Sequence, residues 1–157
     1  MRLWHYDLLD VLPRQQLCSQ LRECVAIAKD IYEKGQPNHI LVNKVKDYSL
    51  DHFKVYCSLV IDEMGKRGYK VSKKTKDKLN DYIKYYDLFV YKKICGDVNV
   101  LINNEYEPLF DTWENSWHDD RYLVQCLYNL EEKYDCGGMY QEDWDKIYNK
   151  YSDYIDY

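Results

Sequence analysis

A chain of 157 residues, 46% hydrophobic and 31% charged, has the size and composition of one globular domain with a core of its own. No run approaches the eighteen or so apolar residues that a membrane span needs. The opening MRLWHYDLLD places Asp7 and Asp10 where a secretory signal requires uninterrupted apolar residues. Disordered, membrane-spanning and secreted classes are set aside, and a cytoplasmic protein with a single domain over 1–157 is expected. Net charge −5 divides unevenly: residues 1–80 carry 15 Lys and Arg against 10 Asp and Glu, net +5, and residues 81–157 carry 7 against 17, net −10. Such a split points to a basic half that meets an anion and an acidic half that does not, although solvated faces also drift in charge by chance.

The chain reads as helices joined by short turns. Pro13 suits the first turn of a helix in which Leu17, Leu21, Cys24, Val25, Ala28 and Ile31 recur at helical spacing until Gly35-Gln36-Pro37. A second helix starts with Ser49 as N-cap, repeats Phe53, Cys57, Val60, Ile61 and Met64 on one face, and ends at Gly68. A third spans Ser72 to Gly96 with Leu79, Ile83, Tyr86, Val90 and Ile94 inward. Residues 97–118 are irregular, with a short strand or extended loop over Asp97–Ile102. A fourth helix runs from about Asp119 through Leu123, Cys126, Leu127, Leu130 and Tyr134, and a last short one covers Trp144–Tyr154. The expected fold is all-α or nearly so, a compact bundle of three to five helices.

Little in the chain carries recognisable cofactor chemistry. Cysteines 18, 24, 57, 95, 126 and 136 form no CxxC pair, and Cys24, Cys57 and Cys126 fall on apolar stripes as small buried hydrophobes. His5, His39, His52 and His118 lack ligand spacing, so no metal is expected. The absence of GxGxxG, Walker A and GxSxG sequences removes nucleotide-dependent chemistry and serine hydrolysis, and no cofactor is expected. Tyrosine supplies 18 residues, and Tyr82, Tyr85, Tyr86 and Phe89 form a helical row beside Lys84, Lys92 and Lys93. Such a row stacks nucleic-acid bases or, more commonly, packs as core with its phenol oxygens reaching the surface.

Met1-Arg2-Leu3-Trp4 and the pair Arg22-Glu23 in the middle of the first helix resemble the start of the phage-type pyrimidine-dimer DNA glycosylase/AP lyases. Asp62-Glu63-Met64-Gly65-Lys66-Arg67-Gly68-Tyr69 is similar to the acidic helix of that family that closes in Lys/Arg-Gly-aromatic. The resemblance covers about residues 1–70, and Tyr82-Ile83-Lys84-Tyr85-Tyr86 is similar to an aromatic and lysine segment of the phage enzymes. Residues 117–133 resemble a branch of small bacterial proteins that share the MRLW start. Gln16 stands where the phage helix has histidine, and no second arginine follows the Arg-Glu pair.

The resemblance implies attack by the chain's own α-amine on the deoxyribose C1′, a Schiff-base intermediate and β-elimination at the abasic site. The nucleophile is then Met1, because bulky Arg2 blocks removal of the initiator. The implied catalytic residues are Met1, Glu23 and Arg22, and the implied DNA-binding residues are Arg2, Arg14, Lys66, Arg67, Lys70, Lys73 and Lys74. The choice of nucleophile is physically sensible: an α-amine of pKa near 7.7–8.0 is roughly one third neutral at pH 7.5, whereas a lysine near 10.4 is only ~0.1% neutral. Glu23 lies about 200° around the helix from Leu21, off the apolar stripe, where it faces either solvent or a cleft roofed by another segment. The expected partner is duplex DNA with a lesion or abasic site. The competing reading is a non-enzymatic module whose acidic, tyrosine-rich half binds a protein.

Overall fold

The computed structural model describes residues 2–35, 37, 39–47, 50–83 and 117–155. Met1, Ser49, Tyr85, Tyr86, Phe89, Cys95 and the segment 97–116, with the continuation of the third helix to Gly96, lie outside the described residues. Among the described residues the fold is all-α, with no strand. A 3-10 turn, Tyr6–Leu8, precedes α1, Arg14–Lys34. A second 3-10 turn, Ile40–Val42, and the single-turn α2, Lys44–Asp47, lead to α3, Leu50–Lys66, and α4, Lys73–Ile83. Then come α5, Asp120–Asp135, and α6, Gln141–Ile155. Five of these helices have eleven or more residues, as the apolar periodicity predicts.

The helix ends follow from local chemistry. Pro13 is the N-cap of α1, and Gly35 closes it with its N–H donated to Ile31 O. Asp119 caps α5 by accepting from Tyr122 N at 2.8 Å, and Ser72 precedes α4, its Oγ accepting from Thr75 N at 3.1 Å. Helices α3 and α5 end in the same motif. At α3, Tyr69 N donates to Met64 O and Gly68 N to Gly65 O; at α5, Gly138 N donates to Lys133 O and Gly137 N to Tyr134 O. Gly68 and Gly137 sit at φ 77° and 81°, a left-handed conformation that a Cβ disfavours, so these turns require glycine.

The core forms where the stripes meet. On α1 the buried face is Leu17, Gln20, Leu21, Cys24, Ile27, Ala28 and Ile31, packed against α3 and α4. The face of α3 brings Phe53, Tyr56, Cys57, Val60 and Met64, and α5 adds Tyr122, Leu123, Cys126, Leu127 and Leu130 against Trp144 and Ile147 of α6. Val25 and Ile61, both predicted inward, are half-buried. The last helix begins three residues earlier than its periodicity indicates and bends at Tyr151 (φ −123°, ψ 27°). Cys18, Cys24, Cys57, Cys126 and Cys136 are free thiols. No helix of the described residues is long and apolar enough to cross a membrane.

His5 and His118 are buried in an aromatic cluster with Tyr6, Tyr56, Trp117 and Tyr122, the two imidazole centroids 5.2 Å apart. Burial pushes the His118 imidazole well below its usual range, with His5 and His52 adding to the effect, and burial lowers His5 as well. A histidine lowered in the folded state leaves stability unaffected above its unfolded pKa of about 6.5 and removes it as pH falls below that value, because only the unfolded chain then takes the proton. Urea unfolding should therefore lose up to about 1.4 kcal/mol per pH unit for His118 between pH 6.5 and 5.5. His118→Asn, which keeps an acceptor near the Nδ1 position, should flatten that slope; an unchanged slope would contradict the assignment.

Candidate active site

The segment 2–5 has no regular structure, yet Leu3, Trp4 and His5 are buried. Its amides and carbonyls must therefore be satisfied by side chains. Gln20 supplies two of them, at Arg2 O and Trp4 N. Its Nε2 donates to Arg2 O at 2.9 Å and to Glu23 Oε2 at 2.9 Å, and its Oε1 accepts from Trp4 N at 2.7 Å and from the Tyr56 hydroxyl at 2.5 Å. Tyr122 donates its hydroxyl to Leu3 O, and His118 Nδ1 accepts from Tyr6 N at 3.0 Å. His5 Nδ1 accepts from Asp7 N at 3.2 Å and so caps the 3-10 turn.

Burial sets the protonation states that these bonds need. It raises the Tyr56 and Tyr122 phenols well above their ordinary range, so both remain O–H donors. It lowers His5 and His118, so both keep a lone pair for a backbone N–H.

Glu23 stands one turn beyond Gln20 on α1. Its Oε2 accepts from Arg2 N at 3.3 Å as well as from Gln20. Glu23 is half-buried, and its carboxylate meets the N-terminal segment at Arg2 N. Met1, the sequence-derived nucleophile, lies outside the described residues.

The basic residues divide into different environments. Arg14 and Arg22, two helical turns apart on α1, line a cleft of about 600 Å3 whose other wall is the α5–α6 turn, Gly137 to Tyr140, with Asp143. Arg22 is exposed and steadied by Ser19 Oγ at 3.0 Å, while the Arg14 guanidinium lies 4.8 Å from the centre of the Tyr69 ring. Arg2 lies elsewhere, over the Trp4 ring at 5.9 Å. Lys70, Lys73 and Lys74 are exposed around the start of α4. Lys66 borders a hollow of about 280 Å3 that also holds Asp7, Asp10, Asp62 and Glu63.

Arg67 is engaged on the fold itself. Its guanidinium donates to Leu12 O at 2.7 Å, Leu9 O at 3.0 Å and Glu63 Oε1 at 3.0 Å. No group of His, Cys, Asp and Glu able to hold a metal ion occurs among the described residues.

Reasoning from sequence singled out Arg22-Glu23 but missed Gln20, Tyr56, Tyr122 and His118. The signal for Gln20 was present: it is a polar residue in phase with Leu17, Leu21 and Cys24, on the buried stripe of α1. Tyr122 and His118 act across 119 and 112 residues and leave no local pattern.

Residues 1–77 match the family model described as Pyrimidine dimer DNA glycosylase. No curated protein and no solved structure matches the chain.

The geometry of Arg67 yields a stability test. Arg67→Met keeps the aliphatic stem and deletes donors to two carbonyls and a carboxylate, so urea unfolding should show a loss of about 2–4 kcal/mol, the scale of bonds from a charged donor. A loss below about 0.5 kcal/mol, the range of an ordinary surface substitution, would show that these contacts contribute nothing to the fold.

Proposed function

We propose that this chain, which over residues 1–77 belongs to the family described as Pyrimidine dimer DNA glycosylase, is a cytoplasmic DNA-repair glycosylase and AP lyase acting on damaged or abasic DNA through the α-amine of Met1. The observation that carries the reading is the bond from Arg2 N to Glu23 Oε2 at 3.3 Å, because it ties the residue next to the amine to the one carboxylate that the family resemblance singles out. The chain works as one domain in this reading, since side chains of α5 and α6 hold the N-terminal segment.

The reaction follows from those groups. The neutral amine bonds to C1′ while the glycosidic bond breaks, and the base leaves with the electron pair and takes up a proton. Ring opening at C1′–O4′, with a proton passing from the amine nitrogen to O4′, gives an iminium cation. Removal of the C2′ proton then expels the 3′ phosphate by β-elimination. The oxocarbenium-like sugar and the iminium are both positive, so the Glu23 carboxylate stabilises them and serves in proton transfer. Arg22 and Arg14 hold phosphates along the cleft, and Lys70, Lys73 and Lys74 extend the basic surface beyond it. No cofactor takes part. The family match favours DNA over a protein partner of the acidic half.

Borohydride trapping on abasic duplex DNA tests the nucleophile: an adduct should form on the N-terminal peptide and vanish when the α-amine is acetylated. Full trapping by the acetylated protein would remove Met1 from the mechanism. Glu23→Gln, which keeps shape and loses charge, should lower turnover by roughly 10²-fold or more with little effect on folding; an active variant would reduce Glu23 to an anchor of the N-terminal segment. Arg22→Gln should flatten the dependence of log affinity on log salt by about 0.9, the value of one phosphate contact on duplex DNA. An unchanged slope would place Arg22 outside the DNA interface.

A further inference from the structure

Gln20 is wholly buried on the apolar face of α1, where leucine or methionine would fill the same volume with no polar group to satisfy. All its hydrogen-bonding capacity is nonetheless used, and used asymmetrically. Nε2 faces two acceptors, Arg2 O and Glu23 Oε2; Oε1 faces two donors, Trp4 N and the Tyr56 hydroxyl. Rotating the amide by half a turn would set N–H against N–H at Trp4 and oxygen against oxygen at both Arg2 and Glu23. One orientation alone is therefore allowed. In that orientation a single side chain grips the N-terminal peptide at Arg2 and Trp4 and the helical carboxylate at the same time.

We propose that Gln20 is a positioning residue for the N-terminal-amine reaction, an inference that rests on the glycosylase/AP lyase reading above. It holds Glu23 and the peptide following the amine in fixed relation. Because Oε2 of Glu23 already accepts from Gln20 and from Arg2 N, proton transfer in the reaction falls to Oε1. Without Gln20 the carboxylate regains its side-chain rotamers and the peptide loses two of its anchors. Displacement of reacting groups by about 1 Å is enough to cost on the order of 10²-fold in rate.

The test compares Gln20→Glu, Gln20→Met and Tyr56→Phe in the full chain, with single-turnover cleavage of abasic duplex DNA, KM, borohydride trapping and urea unfolding measured for each. Gln20→Glu keeps both acceptor bonds and loses both donor bonds. Gln20→Met, apolar and of similar length, covers the case in which a second buried carboxylate prevents folding. Tyr56→Phe removes one bond to Oε1 and leaves the Nε2 pair intact. Both Gln20 variants should lose roughly 50-fold or more in single-turnover rate with KM within about threefold of wild type. Tyr56→Phe should lose stability and keep its rate within about threefold. Gln20 variants with wild-type rates, or a Tyr56→Phe rate that falls as far as theirs, would overturn the positioning role. A wild-type chain that forms no adduct on abasic DNA would overturn the underlying reading itself, whatever the variants do.

Discussion

A buried stretch of backbone without regular structure must borrow its hydrogen-bond partners, and in this protein that requirement governs the arrangement of everything around residues 2–6. Each unpaired amide or carbonyl in so apolar a setting would cost about 1–3 kcal/mol. The partners come from α1 (Gln20, Glu23), from the approach to α5 (His118) and from α5 itself (Tyr122). The two phenols and the imidazole work because burial keeps them uncharged: a tyrosinate could not donate to Leu3 O, and an imidazolium could not accept from Tyr6 N. Burial and polarity thus reinforce each other, since the apolar surroundings that make a lost bond expensive also maintain the protonation states that form it.

Much of the scaffold was legible from spacing. The stripe of α1 and its limits at Pro13 and Gly35, the glycine stop of α3 at Gly68 and the Asp119 cap of α5 are local signals, each decided within a turn or two of the residues that show it. The 3-10 turn at Tyr6–Leu8 and the single turn of α2 were not, being too short to establish a period. At the site, Arg22-Glu23 was found through resemblance, whereas helix geometry left Glu23 with two outcomes until the contact with Arg2 N chose between them. Gln20 was hidden by its position: amphipathic reasoning sorts polar residues outward, and a polar residue on the inner stripe reads as an interruption. Its meaning depends on which backbone lies opposite, and that is tertiary information.

The charge split behaves differently in space than along the chain. Asp143, from the acidic half, enters the cleft beside Arg14 and Arg22. Lys150, also from the acidic half, reaches back to Asp10 at 2.7 Å and Asp7 at 3.7 Å in the basic half. These exposed pairs contribute little to stability individually. Their arrangement shows that the two halves are interleaved at their contacts. Among the described residues, the +5 and −10 of the linear sequence are therefore mixed at these contacts, with Arg14 and Arg22 facing Asp143 across one cleft.

The bonds at the end of α6 carry a kinetic meaning. Tyr151 donates its hydroxyl to Asp7 O at 2.7 Å and to Asp7 Oδ2 at 2.9 Å, and the Lys150 ammonium reaches Asp7 O at 2.7 Å, across 144 and 143 residues. Together with Tyr122 on Leu3 and His118 on Tyr6, they make residues 3–7 dependent on partners more than a hundred residues further along the chain. Closing loops of that length is entropically costly and slow compared with winding α1. During synthesis α1 can form with Glu23 already in place, while the segment that must lie against it waits for α5 and α6. The contacts of Leu3, Tyr6 and Asp7 with distant partners thus form late, after the helices that supply them have been made.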